Sequence, residues 1–228
     1  MKLYILLLLL FLCGCLGLSA QTFRGGFLAG GNLCAIDGAG LNGNNNTFNK
    51  IGFTAGGFVN ARVGRKTLLQ MEMAYSQKGS TLQPSTDNDN NYYLLRLNYI
   101  DIALAVRYRL HFLTNKQPTT KFDIIAGAAL GKLIFSSYTV KSIVTPVDLN
   151  NTDISLFVGL VCNFSQNVCL DFRYYNSLMP SVKRDAYNSQ YLYYGSWNRG
   201  DNLVFQLTLK FTFGKPGTPS LPPPASAS

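Results

Sequence analysis

An all-β chain whose eight antiparallel strands close up-and-down into a transmembrane barrel is the fold class that three features of the sequence predict. The stretch LVFQLTLKFTF at residues 203–213 interleaves two sets. Phe205, Leu207, Leu209, Phe211 and Phe213 alternate with Val204, Gln206, Thr208, Lys210 and Thr212, the period of a strand with unlike surroundings on its two faces. Segments of this kind recur along the chain, and the linkers between them are by turns long and short, the loop layout of an outer-membrane-type barrel. Charged residues make up only 14% of the chain, against 13% aromatic residues and 21 glycines. A soluble domain carries about 25% charged residues, so this composition suits a surface that meets lipid.

The predicted strands run over residues 22–32, 50–63, 66–79, 92–111, 121–136, 153–164, 168–178 and 202–213. The first is rich in glycine, and Gly25-Gly26, like Gly56-Gly57 in the second, eases strand bending. Neither pair forms a phosphate loop, since no Lys-Ser/Thr follows and no helix begins. In the second, Phe53, Ala55 and Val59 oppose Thr54, Asn60 and Arg62, and the tight turn Gly64-Arg65 leads on. In the third, Leu69, Met71, Met73 and Tyr75 oppose Gln70, Glu72, Ala74 and Ser76. The fourth changes step: Leu95, Leu97 and Tyr99 are odd, whereas Ile102, Leu104 and Val106 are even. A β-bulge near Ile100-Asp101 is the expected repair. The sixth and seventh flank the short turn Ser165-Gln166-Asn167, and in the seventh Leu170, Phe172 and Tyr174 oppose Asp171, Arg173 and Tyr175.

A charge on the lipid face near the bilayer middle costs about 2–4 kcal/mol. Mid-strand charges therefore belong inside, and the expected lumenal network is Arg62, Glu72, Lys78, Arg96, Asp101, Asp171, Arg173 and Lys210. Glu72 is expected to pair with Arg96 or Arg173, and Asp171 with a neighbouring cation. The expected lipid-facing set is Leu69, Met71, Met73, Leu170, Phe172, Phe205, Leu207, Leu209, Phe211 and Phe213. Aromatics gather at segment ends, as interfacial girdles would.

The N-terminus has the form of an export signal. Met1-Lys2 precedes an apolar run from Leu3 to Leu12 and small residues through Ser19-Ala20, which predicts a signal peptide over residues 1–20. A cut before Cys15, on the Leu12-Cys13-Gly14 lipobox-like run, is the rival processing. Downstream, no apolar run approaches the ~20 residues of a membrane helix. The barrel is assigned to residues 21–214. The uncharged run PGTPSLPPPASAS after Lys215 predicts a disordered, proline-rich periplasmic tail over residues 215–228.

Gly30-Gly31-Asn32, Ile51-Gly52-Phe53 with Ala55-Gly56-Gly57, QMEMAYSQKGS at 70–80, LRLNYIDIALAVRY at 95–108, and Ala126-Gly127-Ala128 before Gly131 resemble, in order and spacing, the PorT-like family of outer-membrane β-barrel proteins of Gram-negative bacteria. The resemblance spans about Gly25 to Phe213. The family pattern commonly has proline where this chain has Ala103. The resemblance implies an eight-stranded barrel in the outer membrane and implies little about activity.

The chemistry-bearing residues are few. His111 is the sole histidine and Glu72 the sole glutamate; His111-Phe112-Leu113 lacks the His-x-Ser pair of lipid-A deacylase barrels, and no paired carboxylates occur at close strand spacing. No catalytic, cofactor or metal site is read from the chain. Asp87-Asn88-Asp89 lacks the glycine and terminal glutamate of a calcium loop. Beyond the leader, Cys34, Cys162 and Cys169 fit no metal spacing, and the last two fall on opposite faces of their hairpin, so free thiols are expected.

The formal charge of +9 falls largely at the short-turn end, on Arg62, Arg65, Lys66, Arg107, Arg109, Lys116, Lys121 and Lys215, where cations meet lipid phosphates and snorkel. In the long loops Asp37, Asp87, Asp89, Asp148, Asp153, Asp185 and Asp201 offset Lys141, Lys183, Arg184 and Arg199. Nucleic-acid binding would want a basic patch with exposed stacking aromatics, and an exported barrel does not meet that partner, so nucleic acid is not expected. The expected partners are outer-membrane lipids and an unidentified periplasmic or extracellular protein, with the barrel a monomer. The leading expectation is a non-enzymatic integral outer-membrane barrel with a structural or surface-interaction role. The alternatives are a narrow transport conduit or secretion accessory, and a soluble secreted lipocalin-like barrel.

Overall fold

The computed structural model describes residues 23–37, 48–64, 66–82, 92–110, 122–140, 143–144, 148–183 and 200–213. The leader, the tail, His111, Asp87-Asn88-Asp89, and Arg65, Lys116, Lys121, Lys141, Arg184, Asp185, Arg199 and Lys215 lie outside the described residues.

Eight long strands form one antiparallel ring. They are β1 (Phe23–Ile36), β2 (Lys50–Arg62), β3 (Thr67–Leu82), β4 (Tyr93–Arg109), β5 (Phe122–Val140), β7 (Thr152–Asn163), β8 (Val168–Pro180) and β9 (Asp201–Thr212). A two-residue strand, β6 (Ile143–Val144), folds back on the end of β5. The ring runs β4-β3-β2-β1-β9-β8-β7-β5, and β5 pairs again with β4 to close it. The closure between first and last strands extends from Gly26 opposite Thr212 to Ile36 opposite Asn202. Each long strand pairs with a neighbour on both sides, the arrangement that lets backbone cross a hydrocarbon layer. At the short-turn end the chain reverses through Val63 and Gly64, whose amides donate to the Thr67 carbonyl, and through Ser165, whose hydroxyl accepts from the Val168 amide at 3.0 Å.

The faces are those of an inverted protein. Met71, Met73, Ile102, Leu104, Val106, Leu156, Val158, Leu160, Leu207 and Leu209 are exposed on the outside. Glu72, Lys78, Asp123, Asp171, Arg173 and Lys210 are buried within. This is opposite to a lipocalin-like barrel, whose lumen is apolar. On the outer surface Phe27 and Phe213 meet edge-to-face at 5.1 Å, and Phe53 and Tyr75 lie 5.1 Å apart. The thiols of Cys34, Cys162 and Cys169 are free.

The fourth strand corrects the expected bulge. In β4 one phase holds throughout: Tyr93, Leu95, Leu97, Tyr99, Asp101, Ala103, Ala105 and Arg107 are all buried. The irregularity is on the neighbouring strand, where Asn98 faces Phe135 and Tyr99 faces Leu133, so Ile134 is the extra residue. The sequence changes step because the filling of the lumen changes. Toward the long loops the interior is packed by Ile36, Tyr93, Leu95, Leu97, Tyr99, Tyr138 and Val182. There the apolar residues mark the inside rather than the outside.

A close approach shapes the interior at Gly159, which pairs with Arg173. A Cβ on Gly159 would meet the Phe172 carbonyl oxygen at 2.2 Å and the Arg173 side chain at 2.9 Å. The missing side chain is what lets the Arg173 stem lie across β7. Gly159→Ala is therefore expected to lower stability by about 1–3 kcal/mol, the cost of overpacking. Urea unfolding in detergent reads the loss, and an unchanged midpoint would contradict the packing described.

Candidate functional site: a charged, closed lumen

The interior side chains come from all eight long strands and sort into three charged groups. In the central group, Arg173 of β8 bonds Asp171 (Nη2 to Oδ2, 2.7 Å) and Glu72 of β3 (Nη1 to Oε2, 3.1 Å). Lys210 of β9 reaches Asp171 at 2.8 Å and also bonds Glu72. Gln70 donates to Glu72, and the Tyr175 hydroxyl accepts from Arg173 at 3.0 Å. Gln206 links this group to Asn32 of β1, donating to its side-chain oxygen at 3.1 Å. The guanidinium of Arg173 also lies 4.6 Å from the centre of the Phe157 ring.

Toward the long loops, Lys78 holds two carboxylates, Asp153 at 2.8 Å and Asp101 at 3.1 Å, with its ammonium 4.9 Å from the centre of the Tyr99 ring. Ser177 and Asn202 complete the shell of Asp153. Toward the short turns, Arg107 pairs with Asp123 and donates to Asn163, while Arg109 approaches Asp123 at 3.5 Å. The central group has two cations against two acids. The loop-end group has one excess acid and the turn-end group one excess base, so across these ten residues the formal charge closes to zero. Ions taken out of water need this balance, since an unpaired buried charge costs several kcal/mol.

The predicted residues fall as follows. Glu72, Lys78, Asp101, Asp171, Arg173 and Lys210 are buried in the lumen. Of the two partners offered to Glu72, the structure supplies Arg173. Arg62 lies at the turn-end rim in the inward phase but is exposed, because the strand ends there. Arg96 corrects the expectation: it is exposed on the outer face, for the same reason that Leu95 and Leu97 point in. Of the expected lipid-facing set, Met71, Met73, Phe172, Leu207, Leu209, Phe211 and Phe213 are exposed outward. Leu69, Leu170 and Phe205 are half-buried, and Phe205 is shielded by the rings of Phe48, Phe172 and Tyr174.

Sequence reasoning missed Asp123 as a lumenal acid, set Arg107 at the rim and counted Asp153 with the loops. Asp123 could have been found, since it shares the inward phase of Ile125 and Ala129. Asp153 is the second residue of β7, and only the strand boundary separates it from a loop acid. Glu72, Asp101, Asp123, Asp153 and Asp171 each have a cation partner, and the described residues bring together no group of His, Cys, Asp and Glu fit to hold a metal ion.

The ring is similar in structure to three solved barrels. Ail, the attachment invasion locus protein of Yersinia pestis, aligns at 13% identity with a TM-score of 0.46, over 83% of this chain and 98% of that one. Neisserial surface protein A aligns at 13% identity and 0.44, over 86% and 100%. The N-terminal β-barrel domain of Pseudomonas aeruginosa OprF aligns at 11% identity and 0.37, over 85% and 100%. No curated protein matches the sequence. The family described as outer membrane protein beta-barrel domain matches residues 19–183, most of the ring. The chain belongs to that family, and its place is the outer membrane.

Proposed function

We propose that this outer-membrane barrel is closed, non-conducting and non-enzymatic, with a structural or surface-interaction role exercised through its long loops. The occupied lumen carries the reading. Arg173, Leu95, Leu97 and Tyr99 have no exposed surface and Lys210 almost none, so charged and apolar side chains together fill the bore. A barrel of eight strands is just wide enough to be filled in this way. The paired state of the lumenal carboxylates supports a packing role rather than acid-base catalysis, which needs a group free to exchange its proton. The closed ring supports a monomer, since no strand side is left to be completed by another chain. The motifs shared with PorT-like barrels extend the proposal to membership of that branch.

The test is electrical. The purified protein reconstituted in planar bilayers is expected to show no steady single-channel openings. Sustained openings would replace this reading with a narrow conduit lined by Lys78, Asp101, Asp153 and the central group.

A further inference from the structure

Near the long loops the pairing between β2 and β3 ends before the strands do. The pairing of β2 with β3 stops at Thr54 opposite Ser76. Each strand continues to pair on its other side, β2 with β1 as far as Lys50 and β3 with β4 as far as Leu82. Side chains bridge the split. Asn32 donates to the Gln77 carbonyl at 3.0 Å, and the Cys34 thiol donates to the same oxygen at 3.6 Å.

Lys50 lies beside this stretch of β3. Gly79 has φ of +125°, and a Cβ there would meet the Leu95 carbonyl oxygen at 2.2 Å and Lys50 Cδ at 3.2 Å. Glycine thus clears the path of the lysine stem, in a conformation other residues rarely adopt. Lys50 and Arg96 then line one cleft of about 300 Å³ together with Gln77, Thr81, Ile51 and Leu94. Lys50 is only 5% exposed. Among the described residues no carboxylate pairs with either cation, and they act on each other as like charges. Of the other polar lining residues, Gln77 donates to the Tyr75 hydroxyl and Thr81 to the Tyr93 carbonyl, and Asn49 adds a side-chain amide beside the cations. A buried ammonium next to a second cation is a costly arrangement unless an anion completes it.

The position of the cleft says which anion. The outer apolar belt of Met71, Met73 and Ile102 gives way here to Gln77, Asn98 and Arg96, so the cleft sits at the belt's edge on the long-loop side, level with outer-leaflet head groups. Ile51, 81% exposed, and Leu94 flank the cations with apolar surface that a free ion would not use. We infer that the split seam between β2 and β3 binds a phosphate group of an outer-leaflet glycolipid of the lipid A class, held by Lys50 and Arg96. This rests on the membrane placement and not on the role proposed above, because a conducting barrel could hold the same lipid.

The experiment titrates the full-length protein, refolded in detergent free of glycolipid, with phosphorylated lipid A, with the same lipid A stripped of phosphate, and with inorganic phosphate. Phosphorylated lipid A is expected to bind at least about tenfold more tightly than the stripped form, the scale of one or two charge-assisted hydrogen bonds. Arg96→Gln and Lys50→Gln should each remove most of that preference, while Lys132→Gln, at an exposed cation elsewhere on the outer face, should not. Heat-shifted electrophoretic migration checks that each variant is folded; Arg96 is exposed, so its variant keeps the test decisive if the lysine variant misfolds. Equal binding of both lipids, or an unchanged preference in Arg96→Gln, overturns the inference. Inorganic phosphate competing as well as the lipid overturns its lipid source.

Discussion

Glu72→Ala is expected to destabilise the barrel by about 3–5 kcal/mol, the cost of breaking a buried ion pair and leaving charge behind. Glu72 is bonded by Arg173, Lys210 and Gln70 together. Without it, one carboxylate, Asp171, remains against two cations that have almost no exposed surface. Glu72→Gln should cost nearly as much, because the amide keeps the shape and loses the charge. The contrast is Lys183→Gln. Its 2.8 Å pair with Asp148 is about half exposed on both sides, so a loss of about 0–1 kcal/mol is expected. Reversible urea unfolding in lipid vesicles measures all three. If the two Glu72 variants come within 1 kcal/mol of the parent, the central group is not the keystone described.

The second large effect belongs to the outside. Leu104 is exposed, flanked along β4 by exposed Ile102 and Val106, and paired with Met71 on one side and Ala128 on the other. Leu104→Arg places a guanidinium in the middle of the apolar belt and is expected to cost about 2–4 kcal/mol in vesicles. Tyr108→Arg, at the belt's turn-end edge beside Arg109, should cost about 0–1 kcal/mol, because the side chain reaches the head groups there. The gradient between the two sites is the decisive quantity. Equal costs in vesicles would mean that the belt does not span hydrocarbon.

The strand count, the sorting of loops and the inward course of Glu72, Asp171, Arg173 and Lys210 were legible because an isolated charge within an apolar-alternating strand admits one sensible face. Leu95, Leu97 and Tyr99 were not. Alternation tells which residues differ from their neighbours, not which solvent each set meets, and the loop end of this lumen is packed with apolar side chains. Arg96 followed them into error for that reason alone. The bulge was misplaced because Ile134 bears no mark: an isoleucine suits either face, so only the pairing partner reveals the extra residue. Lys50 escaped notice because it begins β2, where a cation reads as the end of a loop. Its burial arises from the split between two strands, a property of pairing that no single segment carries.

The seam joining β1 to β9 sets the order in which the molecule can be made. Gly26 emerges early and finds its mate in Thr212 only when nearly the whole polypeptide has been delivered. Until then the growing sheet has two raw margins and a greasy exterior, the hazard that contacts remote in sequence impose on a nascent protein. A version truncated before Asp201 would keep most of its pairings and still lack the final stave, leaving both margins permanently open to aggregation.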